Sequence, residues 1–142
     1  MKTRLTFEVE MKLTEQEEST MNEAELIRLW QKYRQQIIIA QLAPTFLLIT
    51  TAGLVEQVRA AGQMTVWAVL GILLASGILG ALAEYTAAHE AQAVAKDIAT
   101  LKAKSSLSDA IVKTAPWMHV VKYLTPAIFV GIFVALFVAL TQ

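Results

Sequence analysis

Three long stretches without Asp, Glu, Lys or Arg constrain this chain more than any other feature. The first runs from Gln35 to Val55, the second from Ala60 to Ala83, and the third from Tyr123 to Gln142. A helix rises 1.5 Å per residue, so about 20 predominantly apolar residues are needed to cross a hydrocarbon layer roughly 30 Å thick. Each stretch meets that length. A buried helix of a soluble domain rarely stays free of charge for so long, and a membrane β-barrel would show short alternating segments instead. Apolar residues make up 56% of the chain and charged residues only 17%, below the roughly 25% usual in globular proteins. The expected fold is therefore an all-α integral membrane protein with three transmembrane helices. Spans one and two form an antiparallel helical hairpin, and helical extensions reach into the cytoplasm.

The connections set the expected topology. Residues 56–64 make a short external hairpin loop, whereas spans two and three are separated by residues 84–122. Positive charge collects before span one at Arg28, Lys32 and Arg34, and in the long connection at Lys96, Lys102, Lys104, Lys113 and Lys122. The hairpin carries only Arg59. Lys and Arg are retained on the cytoplasmic side during insertion, which places the N-terminus inside and the C-terminus outside, in a cell (plasma) membrane. Trp67, Trp117 and Tyr123 fit interfacial aromatic anchors. The polar, acidic residues ahead of span one match neither a cleaved secretory signal nor a mitochondrial presequence. With no cysteine, disulfides, thiol catalysis and cysteine metal sites are excluded.

Residues 1–19 read as a cytoplasmic tail or a pairing strand. Leu5, Phe7, Val9, Met11 and Leu13 alternate with polar residues, the period of a half-buried strand, which would need a partner for its edges. Residues 20–55 read as an amphipathic helix that continues into span one. It starts at a capping box formed by Thr20 and Glu23, and its stripe is Leu26, Leu29, Trp30, Tyr33 and Ile37. Span two and its extension are expected over residues 65–104: no glycine or proline falls between Ala81 and Ala115, and Ser105, Ser106 and Ser108 give the first break after Lys104. Ala87, Ala91, Val94, Ile98 and Leu101 form a cytoplasmic seam on that extension, and its simplest partner is the helix before span one. Residues 105–116 are a connector containing a short helix from Asp109 to Lys113 and stopping at Ala115–Pro116. Residues 117–142 form span three.

Within the spans, packing signals stand out. Span three carries Ala127, Gly131, Ala135 and Ala139, a small residue every fourth position, and span two carries Gly71, Gly77 and Gly80 among further small residues. Small side chains let helix backbones approach closely, which in lipid stands in for the hydrophobic drive of water. Span two is expected to pack within the chain and span three on another subunit. Pro44 predicts a kink in span one, with Gln41 bridging the carbonyl it frees.

Chemistry is sparsely signalled. Glu84, His89 and His119 stand near one membrane boundary and are the weak candidates for a metal site or a general acid and base. They lack the His-x3-His or Glu-x2-His spacing that puts two ligands on one helix face. No nucleotide-binding, nucleophile or zinc-protease motif occurs, and a net charge of zero without a basic stripe argues against nucleic acid. No cofactor is expected. The expected function is a small non-enzymatic multi-pass protein whose partners are the lipid bilayer and either further copies of itself or other membrane subunits. In the second case it would be an accessory or scaffold subunit of a membrane complex. One alternative is an oligomeric pore or holin-like channel, although the uncharged C-terminal end departs from the basic tail of holins. The other is a membrane-embedded enzyme or metal site at the cytoplasmic interface.

Overall fold

The structure, a computed structural model, describes residue 4, residues 6–12 and residues 21–142. Among these residues there is no β-strand. Five helices are followed here: α1 (Glu23–Gly53), α2 (Val55–Ala60), α3 (Gln63–Thr100), α4 (Ser106–Thr114) and α5 (Trp117–Thr141). Of these, α1, α3 and α5 are long and apolar enough to cross a membrane. Only 22, 17 and 11% of their most apolar windows is buried in the chain. Most of that apolar surface thus faces outward, as lipid permits and water does not.

Residues 6–12 are helical, which corrects the strand expected from their alternation. A single strand leaves both backbone edges unpaired, whereas a helix satisfies its own amides and carbonyls. Residues 1–3, 5 and 13–20, Thr20 among them, lie outside the described residues.

The capping box of helix α1 lies two residues later than expected, at Asn22 and Glu25 instead of Thr20 and Glu23. Asn22 is the N-cap: its side chain accepts from the Glu25 amide at 3.0 Å, and the Glu25 carboxylate accepts from the Asn22 amide at 3.3 Å. Glu23 is thereby released from capping and used elsewhere. The chain then reverses through α2, and Gly62 adopts φ +101° and ψ 166° at the N-cap of α3, a region open essentially to glycine alone. The hairpin therefore contains a six-residue helix rather than an irregular loop.

Helix α3 ends at Thr100, short of Lys104. The Thr100 hydroxyl donates to the Asp97 carbonyl at 2.7 Å, and Leu101 turns extended at ψ 133° with its amide on the Ile98 carbonyl. Such local bonds compete with the next turn of helix. The connector is more helical than expected, because α4 opens at Ser105, whose hydroxyl accepts from the Ser108 amide.

Helices α1 and α3 lie antiparallel along most of their length and make the dominant contact of the fold. At the end of the bundle opposite the hairpin, Leu26 and Trp30 pack with Ala91, Val94, Ala95 and Ile98, and Ile111 of α4 closes the cluster. Leu101 joins it partly buried, while Ala87 and Ala88 pack with Ile37 one turn further along. The alanines bring the two backbones close enough for the Trp30 ring to fill the space between them. Helix α5 lies chiefly against α3, through Leu136 with Leu73 and through Leu140 with Val66 and Leu70, and Leu48 of α1 joins the Leu136 cluster.

Candidate functional site

Midway along the hairpin, one glycine governs how close α1 and α3 come. A methyl group built on Gly80 would stand 2.6 Å from Pro44 Cγ and 3.2 Å from the Ala40 carbonyl oxygen. Pro44 has no amide to give that carbonyl, so it lacks its helical partner. Gly80, with no side chain of its own, lets α3 approach it. Pro44 is buried at this point. Gly80 therefore packs within the chain, but Gly71 and Gly77 do not share its role, since nothing lies within 4 Å of a methyl group at either. Gly71 is exposed and Gly77 is half-buried.

One turn further along, the Gln41 amide Nε2 donates to Glu84 Oε1 at 3.1 Å, joining α1 to α3. Gln41 thus bridges to a carboxylate of the neighbouring helix instead of the Ala40 carbonyl expected from sequence. The Thr125 hydroxyl of α5 is the second donor within reach of Glu84. Glu84 is only 2% exposed. Burying a carboxylate is costly unless donors surround it, so the pair concentrates polarity at a point where all three long helices meet.

Close by, Lys122 of α5 is also buried, at 6% exposure, with its Nζ 3.8 Å from the centre of the Tyr85 ring and 5.8 Å from that of Tyr123. The two rings meet edge to face at 6.5 Å. An aromatic face supplies partial negative charge to an ammonium withdrawn from water. Trp67, exposed near the start of α3, meets Phe137 edge to face at 6.3 Å. Trp67 and the Tyr85–Tyr123 pair therefore mark opposite ends of the apolar belt.

The expected trio of Glu84, His89 and His119 is not assembled. Glu84 is buried against Gln41, His89 and His119 are both exposed, and no cluster of three metal-ligating acids or histidines exists among the described residues. Five residues along a helix turn His89 well away from the face that buries Glu84. The polar residues of span one are likewise dispersed. Gln41 is engaged with Glu84 and Thr51 is buried, whereas Thr50 is exposed, so they form no continuous strip.

Two features are left free. One is a cleft of about 160 Å³ between α1, α3 and α5, walled by Leu48, Leu73, Gly77, Phe129 and Phe133, with Gln41 and Glu84 at one end. The other is the outer face of α5. Ala127, Gly131, Ala135 and Ala139 are all exposed, and nothing stands within 4 Å of a methyl group at Gly131. Phe129, Phe133, Leu136 and Leu140 of the same helix turn inward, so every small residue of the stripe faces away from this chain.

Glu23, at the end of the bundle opposite the hairpin, accepts from the Ser105 amide at 2.8 Å and from the Ser108 hydroxyl. The Ser108 hydroxyl and then the Ser105 amide hold its carboxyl below the usual carboxylate range. This contact ties α4 to the start of α1.

Sequence reasoning did not anticipate the Gln41–Glu84 bond, the Lys122–Tyr85 contact or the Glu23 latch. The first was accessible in principle. Once a tight hairpin makes two helices antiparallel, each step back along one is matched by a step forward along the other, and the offset that sets Pro44 against Gly80 also brings Gln41 to Glu84. No family model matches the chain, and no curated protein or solved structure matches it.

Proposed function

We propose that this chain is a non-enzymatic, multi-pass membrane protein that assembles with further copies of itself through the small-residue face of α5. The observation that carries the reading is the outward orientation of Ala127, Gly131, Ala135 and Ala139, with open space over Gly131. A helix that needed small residues only to pack within its own chain would turn them inward. Here its large residues do that work, and the small ones are left for another helix. The bilayer is the solvent for the remaining apolar surface, with the N-terminus cytoplasmic and the C-terminus external, as the distribution of Lys and Arg favours.

The absence of cysteine makes a clean test available. Cysteine replacing Ala135 on the exposed stripe should crosslink two chains in native membranes, while cysteine replacing Leu136 on the inward face should not. Gly131→Leu should weaken the association about tenfold, equivalent to about 1.4 kcal/mol. Crosslinking to a different protein would make the chain an accessory subunit instead. A monomer in mild detergent that Gly131→Leu leaves unchanged would remove the proposal.

A further inference from the structure

Glu84 is the one charged residue among those lining the cleft between α1, α3 and α5. Its carboxylate is only 2% exposed, and the two donors within its reach, the Gln41 amide and the Thr125 hydroxyl, are both uncharged. The buried cation of α5, Lys122, is engaged elsewhere: its Nζ lies on the Tyr85 ring, and it takes no part in lining the cleft. A carboxylate withdrawn from water with neutral partners alone is costly to hold. Ionisable side chains kept at the edge of an apolar belt despite that cost mark places where a ligand or ion is met.

The rest of the cleft fixes the shape and solubility of such a ligand. Apart from Gln41 and Glu84, every lining residue is apolar. Along α3 the lining runs from Leu73 to Glu84, about 16 Å at the helical rise of 1.5 Å per residue. The space of about 160 Å³ is close to a cavity of about 150 Å³ lined by Leu, Ile and Phe that stays dry and takes up a benzene-sized molecule. Long and narrow, it has room for one unbranched hydrocarbon chain and not for the two chains of a phospholipid. Leu74, Ile78 and Val130 line it and are also exposed on the outer surface of the bundle, so in the membrane its mouth opens sideways into lipid.

Charge selects the head. A carboxylate offers about four acceptor positions, and Gln41 and Thr125 leave part of that capacity unused. An anionic head would be repelled. A hydroxyl could donate, but a hydrogen bond between two charged partners is roughly twice as strong as one between neutral partners, and an apolar surrounding strengthens the attraction between opposite charges.

We propose that this cleft binds a single-chain lipophilic amine from the bilayer, its protonated nitrogen donating to Glu84 and its chain lying between Gly77 and Phe133. The inference rests on the bilayer reading above, but not on self-assembly.

The test uses the full chain in a mild detergent, with native mass spectrometry counting bound probe. Three probes share one chain length: dodecylamine, protonated at neutral pH, dodecanol and dodecanoate. Dodecylamine should bind about tenfold more tightly than dodecanol, the step from a neutral to a charge-assisted hydrogen bond, and dodecanoate should not be retained. Glu84→Gln keeps the size of the side chain and should erase the preference for the amine. Comparing both probes on both proteins cancels their different partition into detergent. Gly77→Leu should abolish retention of dodecylamine with helicity unchanged, because a side chain there enters open space in the cleft wall. A preference for the amine that survives Glu84→Gln, dodecanol bound as tightly as dodecylamine, or undiminished binding by Gly77→Leu would each overturn the proposal. A chain that stays folded and dispersed in buffer without detergent would instead overturn the bilayer reading, and the proposal with it.

Discussion

Replacing Gly80 with alanine should loosen the α1–α3 hairpin, whereas the same change at Gly71 should not. Carbon atoms sit comfortably at about 3.5–4.0 Å, so a methyl group 2.6 Å from Pro44 Cγ overlaps it by about 1 Å. The proline ring cannot swing aside as the end of a flexible side chain would, so α1 itself must withdraw. Overpacking of this kind costs about 1–3 kcal/mol. Against it stands the gain of about 1 kcal/mol from alanine over glycine inside a helix. The net expectation for Gly80→Ala is a loss of about 0–2 kcal/mol, with the Gln41–Glu84 bond stretched beyond its 3.1 Å as α1 moves away. Gly71→Ala meets nothing within 4 Å and keeps only the gain. The two variants should therefore differ by about 1–3 kcal/mol, a comparison that cancels helix propensity. Titrating the detergent-solubilised protein with a denaturing detergent, followed by tryptophan fluorescence, measures both. Equal stability of the two variants would refute the close approach at Pro44.

Trp30→Ala should destabilise the end of the bundle opposite the hairpin by about 3–5 kcal/mol, because the ring fills the space between α1 and the alanines of α3; limited proteolysis within residues 101–105 should accelerate. The Glu23 latch should weaken in acid: its folded-state pKa is lowered by Ser108 and Ser105, so its contribution is complete above the ordinary value of 4.5 and is lost as pH falls through the lower folded value. Amide exchange in α4, corrected for intrinsic rate, should then rise below pH 4.5 in the native chain, and Glu23→Gln should remove that pH dependence.

The long helices were legible in sequence because a spanning segment announces itself by length and absence of charge, two properties that tertiary context does not alter. The stripe Leu26, Trp30 and Ile37, and the alanine seam facing it, were legible for a related reason. A helical period of three and four residues survives in any environment where one face is buried. Boundaries were less so. Thr20 and Asn22 are both good caps with a Glu three residues on, and the choice between them depends on Glu23 being wanted by Ser105 and Ser108 far along the chain. The end of α3 likewise turned on one Thr100 hydroxyl bond. Span two's glycines looked alike, yet only Gly80 faces a proline. The distinction depends on the register of the hairpin, which Gly62 and α2 set jointly. Gln41 and Glu84 look like two separate local features in sequence, because only that same register brings them together.

Crossing of a bilayer by α1, α3 and α5 is the claim on which the assembly and the cleft both depend, and it can be tested with single cysteines in an otherwise cysteine-free chain. The account predicts that the protein resists extraction by alkaline carbonate from cell membranes. It also predicts that Gln57→Cys reacts with an impermeant maleimide from outside, Ala103→Cys reacts only after permeabilisation, and Ile128→Cys on the apolar surface of α5 does not react with it at all. Release of the protein by carbonate, or labelling of Gln57→Cys and Ala103→Cys from the same side, would contradict it.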